Sequence, residues 1–329
     1  MLKKLCVHLK SGVLSTFDSD TTLGIFCWRL RQLHGEEKLK SFLERYRNGN
    51  PVFTISNELF DVNGTIFFPQ PVYIPTLKTQ KESKKEKIGD MLRHKESRSN
   101  NFISLRQLNA FLNGNFEEYN QRETDIYADK KRKKKLTPGY TSELCVSVEI
   151  DRESSKSKEG QLFSYHPKYL REGNKLVFLI KVLDKNAFNE FDCEKVLKDV
   201  FEIGYGKKKS SGYGHCKVFS FEDFNEIKEP ESPNGFLTLS NYLPAKADTI
   251  TSGRYYTHVK YGKLGEELSL SRIPFKKPML MIKPGSFFFT EKQKEYYGRV
   301  TVDGEASPAN PFAVQFGIPF TLNFFSELI

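Results

Sequence analysis

The segment from Gly204 to Lys217, GYGKKKSSGYGHCK, constrains what this chain can fold into. Two Gly-Tyr-Gly triplets bracket three lysines and two serines. The stretch is too polar to read as core and too rich in glycine for a regular helix. Ahead of it, residues from about Asp192 to Phe201 read as a helix, with Val196, Leu197, Val200 and Phe201 on its buried side. Behind it, "CKVFSF" reads as a strand. Phosphate loops of the P-loop and dinucleotide types sit between a strand and the N-terminus of a following helix, so the order helix, glycine loop, strand argues against both. The spacing agrees: Gly204 and Gly206 have no third glycine at the G-x-G-x-x-G position, and no G-K-[ST] occurs.

What remains is a backbone able to lie close to an anion. Gly204, Gly206, Gly212 and Gly214 permit close approach, and successive N–H groups can form an anion-binding concavity. Lys207, Lys208 and Lys209 add charge, Ser210 and Ser211 add hydroxyl donors, Tyr213 offers a ring to stack on a base, and His215 follows. The alternative is a surface hairpin in which Gly204 only caps the preceding helix.

The chain opens on a strand, Leu2 to Lys10, and a loop with Ser11 and Gly12. A helix follows that Ser19 or Asp20 can cap, with Leu23, Phe26, Cys27, Leu30 and Leu33 as its apolar stripe and Gly35 as its end. A second helix is expected over Glu36 to Arg47, and strands near Val52 to Phe60 and Thr65 to Phe68. From Pro75 the composition turns polar, apart from a helical piece at Leu105 to Leu112. Order returns after Pro138-Gly139: "LCVSVEIDR" alternates, with Leu144, Val146, Val148 and Ile150 on one face, and "QLFSYHPKYL" and "NKLVFLIKVL" read as further strands. Beyond Pro230 to Pro233, "RYYTHVKYGKLGEE", "PMLMIKPGSFFF" and the tail from Phe312 suggest a mostly β second half. If "YYTHVKYGK" were one strand, Tyr256, His258 and Lys260 would share one face and Tyr255, Tyr261 and Lys263 the other.

The 329 residues carry a net charge of +10, and Lys78 to Lys135 alone hold 16 Lys and Arg against 9 Asp and Glu. A localised basic excess points to a polyanion. The run "KKRKKK" on its own reads as a solvated loop, but lysine-rich flanks around Phe102, Phe111 and Tyr119 would also suit a thumb lying along RNA. No 18-residue apolar run, lipidation signal or basic amphipathic helix suggests a membrane, and the basic, alternating start reads as a strand rather than a signal peptide. Cys6, Cys27, Cys145, Cys193 and Cys216 are widely spaced, as expected of reduced thiols in a cytoplasmic protein. The cysteines and the six histidines form no metal spacing, so neither metal nor cofactor is expected.

Taken in order, "SDTTLGIF", "EIDRESSKSKEGQLF", "IGYGKKKSSGYGHCKV" and "LMIKPGSFFF" give the chain a resemblance to the RAMP superfamily of CRISPR proteins. Within it the chain resembles the fourth subunit of type III-A (Csm) interference complexes. The resemblance implies an α+β fold of two ferredoxin-like, RRM-type domains with antiparallel sheets. It places a glycine-rich loop between the last helix and last strand of the first domain. The expected division is 1–229, with a basic insertion over 78–138, and 230–329. The implied function is non-catalytic: to hold the repeat-derived 5′ handle of the guide RNA (crRNA), and to dock on the large Palm-domain Cas subunit and a RAMP backbone subunit. The RNA-contacting set expected on this basis is Gly204 to His215 apart from Tyr205, together with Arg152, Ser11, Ser19, Lys260 and Lys263. Arg152 could instead pair with Asp151. Guide-processing RAMP enzymes use a histidine near the glycine loop, which makes His8, His34 and His215 candidates under an endoribonuclease alternative. A third possibility is an adaptor whose basic surface grips an acidic protein.

Overall fold

In the computed structural model, residues 1–72, 101–120, 128–129, 134–135 and 137–327 are described. The rest of the expected basic insertion, including most of "KKRKKK", lies outside the described residues.

The first strand, β1 (Leu2–Leu9), alternates Leu5, Val7 and Leu9 toward one side and Cys6 and His8 toward the other. It leads into α1 (Ser19–His34) and α2 (Glu36–Arg47), separated by Gly35 with φ 86°. Then come β2 (Phe53–Ile55), β3 (Leu59–Val62), β4 (Thr65–Pro69) and β5 (Phe102–Ser104), which runs directly into α3 (Leu105–Leu112) and the short α4 (Phe116–Tyr119). The expected single strand over Val52 to Phe60 is thus two. The chain leaves the sheet at Ser56 and Asn57 because both are buried polar hubs: Ser56 Oγ accepts from Leu179 N, and Asn57 Oδ1 accepts from Ser19 N.

Two small pairs follow, β6 (Ala128–Asp129) with β7 (Lys134–Lys135), and β8 (Tyr140–Ser142) with β11 (Lys168–Leu170). The latter brackets a long hairpin of β9 (Cys145–Asp151) and β10 (Lys156–Tyr165). Next are β12 (Asn174–Val182), α5 (Lys185–Glu190), α6 (Cys193–Glu202) and β13 (Cys216–Asp223). The large sheet has the order β13-β1-β12-β3-β4-β5, with β2 also on β12, and its pairings are antiparallel. One side of it packs on α1, α2 and α6 through Phe17, Phe26, Phe42, Phe178 and Phe201.

The second half begins at β14 (Gly235–Thr238) and contributes β15 (Ile250–Arg254), β16 (Thr257–Lys260), β17 (Met279–Ile282), β18 (Phe287–Thr290) and β19 (Thr321–Phe324). These form a four-stranded sheet, β15-β18-β14-β19, and the pair β16-β17. From Gly235 on, the described residues contain no α-helix. The whole is an α+β arrangement of antiparallel sheets with helices.

Three expectations need correction. Ser19 and Asp20 do not cap α1: Asp18 holds the N-cap position, while Ser19 and Asp20 are buried in the first turn. Phe111 and Tyr119 do not face solvent beside the lysines. Phe111 packs on Phe287 and Phe324 at ring-centroid distances of 5.7 Å each, so α3 and α4 are core between the two large sheets. The "YYTHVKYGK" segment breaks at Tyr255-Tyr256 and ends as a strand at Lys260, so Tyr256 is exposed while His258 and Lys260 are partly covered. Removing the bridging ring tests the α3 assignment. Phe111→Ala should lower the unfolding free energy by about 3–5 kcal/mol in urea titration, the usual cost of truncating a buried phenylalanine; a surface α3 would lose less than about 1 kcal/mol.

Candidate RNA interface

The glycine segment is a folded loop, closed at its base like a clasp. Tyr205 N donates to Gly214 O at 2.8 Å, and Gly214 N donates to Gly12 O at 2.8 Å. Lys10 N donates to His215 O, and His215 N donates to Ser11 Oγ. The loop is therefore tied to the residues after β1 on both sides of its neck. A Cβ on Gly214, where φ is 70°, would lie 1.9 Å from Tyr205 O, so this crossing of two backbones requires glycine. Gly206 is similarly pressed on Ser15, whose Oγ accepts from Lys207 N at 3.1 Å.

The two Gly-Tyr-Gly triplets do different work. Tyr205 is fully buried, stacked 4.2 Å from Phe17 and 5.8 Å from Phe201 between centroids, with its hydroxyl 3.1 Å from Thr22 Oγ1. It anchors the loop in the core, against the expectation that nothing here is core. Each such ring pair adds about 0.5–1.5 kcal/mol beyond its burial. Tyr213 instead donates to the Tyr165 hydroxyl of β10 at 3.3 Å. Burial also pushes the Cys216 thiol up to about 12, so this cysteine at the loop's exit is inert packing.

Between these anchors, Lys207, Lys208, Lys209, Ser210 and Ser211 are exposed, with a single 3₁₀ turn at Lys209–Ser211. Lys208 takes a left-handed conformation, φ 55°, and its ammonium sits 3.7 Å from the Tyr165 ring centroid and 5.0 Å from that of Phe163. The β9-β10 hairpin is thereby attached to the loop by one face. Its other face is open: Leu144, Val146, Val148, Ile150 and Leu162 are all exposed, so the alternation seen in the sequence marks an apolar surface outside the core. Arg152 lies exposed in the hairpin turn. Asp151 is not its partner; that carboxylate accepts from Ser154 Oγ and Glu153 N, which hold its pKa below the usual carboxylate value.

Other expected contacts fall elsewhere. Lys260 is not available to RNA. Its ammonium is 2.6 Å from Asp18 Oδ2 and about 3.2 Å from Asp20, and it also donates to Thr21 Oγ1. Burial alone would lower its pKa, but the Asp20 and Asp18 carboxylates outweigh that and raise it. Asp20 is further satisfied by Asn241 Nδ2 at 2.8 Å and Gln315 Nε2 at 2.7 Å. Ser19 is buried below this network, and Ser11 supports the loop through His215 N. Lys263 is far along the second half, its ammonium 6.0 Å from the Phe275 centroid. Of the candidate histidines, His215 and His8 adjoin the loop. His34 does not: it lies 3.7 Å from Asp192 at the opposite end of α6, roughly 15 Å along that helix. No group of His, Cys, Asp and Glu among the described residues could hold a metal ion. No helix among them is long and apolar enough to cross a membrane.

Lys260→Met should leave the buried Asp20 and the half-buried Asp18 without their cation and cost about 3 kcal/mol or more in thermal or urea unfolding. It should leave the salt dependence of any RNA binding unchanged; a shallower salt slope would return Lys260 to the RNA surface.

No family model matches the sequence, and no curated protein matches it. Solved structures do. A chain of the crystal structure of the Csm1-Csm4 cassette in complex with pppApA is 15% identical, with a TM-score of 0.59 over 100% of this chain and 99% of that one. A chain of the cassette in complex with cA4 is 16% identical, with a TM-score of 0.58 over 98% of each. A chain of the Csm3-Csm4 subcomplex in the type III-A CRISPR-Cas interference complex is 17% identical, with a TM-score of 0.58 over 98% of this chain and 99% of that one. At such identities the likeness is one of fold, and it spans the whole chain: this protein shares its fold with chains of the Csm1-Csm4 cassette and of the Csm3-Csm4 subcomplex.

Proposed function

We propose that this chain is a non-catalytic RNA-binding subunit of a type III-A CRISPR effector complex. In this reading it holds the repeat-derived 5′ handle of a crRNA in the cytoplasm. The observation that carries the proposal is the anchored glycine loop, which presents three exposed lysines and two serines on a fixed neck beside an aromatic hairpin. Phosphate contacts from such a loop position RNA, and rings beside it stack on bases whatever their sequence. The reading of residues 1–229 as a ferredoxin-like domain is supported by the order β13-β1-β12-β3, with α1 after β1 and α6 before β13. For 230–329 the support is the antiparallel sheet alone.

Docking on a large Palm-domain subunit and on a RAMP backbone subunit is part of the same proposal. It is supported by similarity to chains from assemblies that contain Csm1 and Csm3, and by two exposed apolar surfaces. One is the open face of β9-β10; the other includes Val259, Tyr261, Phe275 and Leu280 around β16-β17.

Gel-shift titration of a handle-bearing RNA tests the loop. Changing Lys207, Lys208 and Lys209 to Ala together should weaken binding and flatten the plot of log affinity against log salt. The expected change in slope is about 0.7 for each phosphate that is no longer neutralised, or up to about 2 in total. Equal affinity and slope would remove the loop from the interface. RNA should be recovered intact after incubation in EDTA; discrete cleavage that disappears in His215→Ala would establish the endoribonuclease reading instead.

A further inference from the structure

The large sheet has a second side, and only part of it is covered. Cys6, Leu59, Phe68, Val177 and Leu179 on that side pack beneath α3 and the second-half residues Leu237, Leu239, Phe320, Leu322 and Phe324. The cover ends before the strands reach the glycine loop. There, His8 lies opposite Lys217 in the β1-β13 register, and both are exposed. Between the pairs Cys6–Ser220 and Val7–Val218 the register shifts, and Phe219 has no partner on β1. A β-bulge turns a side chain away from its regular direction. Phe219 is 54% exposed, and the Lys175 ammonium of β12, reaching past β1, sits 5.0 Å from its ring centroid.

The charges around this ring differ from those farther down the same strands. Lys3 and Lys4 of β1 are paired with Asp223 and Glu222 of β13 at 2.9 and 3.0 Å. Lys10, Lys175 and Lys217 form no ion pair among the described residues. The nearest register partner that is acidic, Asp61 opposite Lys175, spends its Oδ1 on Gly64 N. A groove of about 280 Å³, lined by His8, Lys10, Ser11, Tyr169, Arg171 and Glu172 among others, leads from this patch toward the loop. Lys10 N and Ser11 Oγ are the same groups that tie down His215, so patch, groove and loop form one continuous surface. Burial, Lys10 and Lys175 lower the His8 pKa, which leaves a neutral flat ring beside the cations.

We infer that the uncovered end of this sheet is a stacking platform for single-stranded RNA, with Phe219 receiving a base and Lys10, Lys175 and Lys217 facing the flanking phosphates. An exposed ring surrounded by unpaired cations fits a polyanion with flat apolar faces, and it suits an acidic or apolar protein surface less well. This inference rests on the RNA-binding reading above and extends the RNA path beyond the loop, across β13, β1 and β12.

The test measures fluorescence anisotropy of a labelled, mixed-sequence single-stranded RNA of about 20 nucleotides with the full chain. Phe219→Ala should weaken binding by roughly 5- to 150-fold, the range expected for loss of one stacked base. Its salt slope should match the wild type, because no charge is removed. Phe219→Trp should restore affinity. Lys175→Ala and Lys217→Ala should each lower the salt slope by about 0.7. If Phe219→Ala binds like the wild type while the Lys207 and Lys209 double alanine variant is weakened, the platform is wrong and the RNA reading of the loop stands. If Phe219→Ala keeps its RNA affinity but fails to assemble with a protein subunit, the patch is a protein interface and the inference is likewise overturned. If the wild type does not bind RNA at low salt, both the platform and the RNA reading fall.

Discussion

The packing of Tyr205 against Phe17 and Phe201, in one cluster of three rings, is the contact on which the proposed interface depends. Lysines on a floppy hairpin would lose much of their attraction for phosphate to the entropy of ordering both chain and side chains. Here a buried ring fixes the start of the loop, and the close passage of Gly214 over Tyr205 fixes its end. The exposed residues between them span a defined gap. Each element of the neck serves another: Phe17 supports Tyr205, and Ser15, Gly12 and Ser11 from the same connection take up Lys207 N, Gly214 N and His215 N.

That connection is itself held from the second half of the chain. Asp18 and Asp20, at the start of α1, meet Lys260 of β16, and Asp20 also meets Asn241 and Gln315. Nearby, the Lys276 ammonium donates to Val314 O at 2.7 Å, and burial lowers its pKa. Asn57 completes the seam, donating to Asp18 and to Asn241 while accepting from Ser19 N. A polar seam of this kind specifies one relative placement of the two halves, because any shift leaves buried charge unpaired. The loop that faces the proposed RNA is thus braced by residues such as Lys260 and Gln315, more than 200 positions from the connection they hold. The second half contributes to the site by bracing the connection beneath it.

Much of this was legible in the sequence where pattern and chemistry coincide. The Glu36–Arg47 and Leu105–Leu112 helices follow directly from their periodicity, β1 from its alternation, and β12 is legible as an apolar run buried on both faces. The position of the glycine loop between α6 and β13 was legible for the same reason. What pattern could not reveal was which polar residues are buried. Lys260 reads as an RNA-facing base because it sits among tyrosines, yet two carboxylates 240 and 242 positions away claim it. Tyr205 and Tyr213 occupy identical triplets, and only the tertiary neighbours make one an anchor and the other a surface ring. The apolar alternation of β9 carried no sign that its face lies open, since periodicity reports a shared side and not what covers it. Phe219 bears no mark in the sequence because a bulge, which leaves no pattern of its own, turns it outward.

The central claim is that the loop is held in shape before it meets RNA and is the part that RNA covers. Amide hydrogen exchange across Gly204 to Lys217, with and without single-stranded RNA, addresses both halves at once. Exchange should be slow at Tyr205, Gly214 and His215 in the free protein, where each N–H has a partner. New protection should appear from Lys207 to Ser211 when RNA is added. Uniformly fast exchange through the whole segment, unaltered by RNA, would contradict that claim.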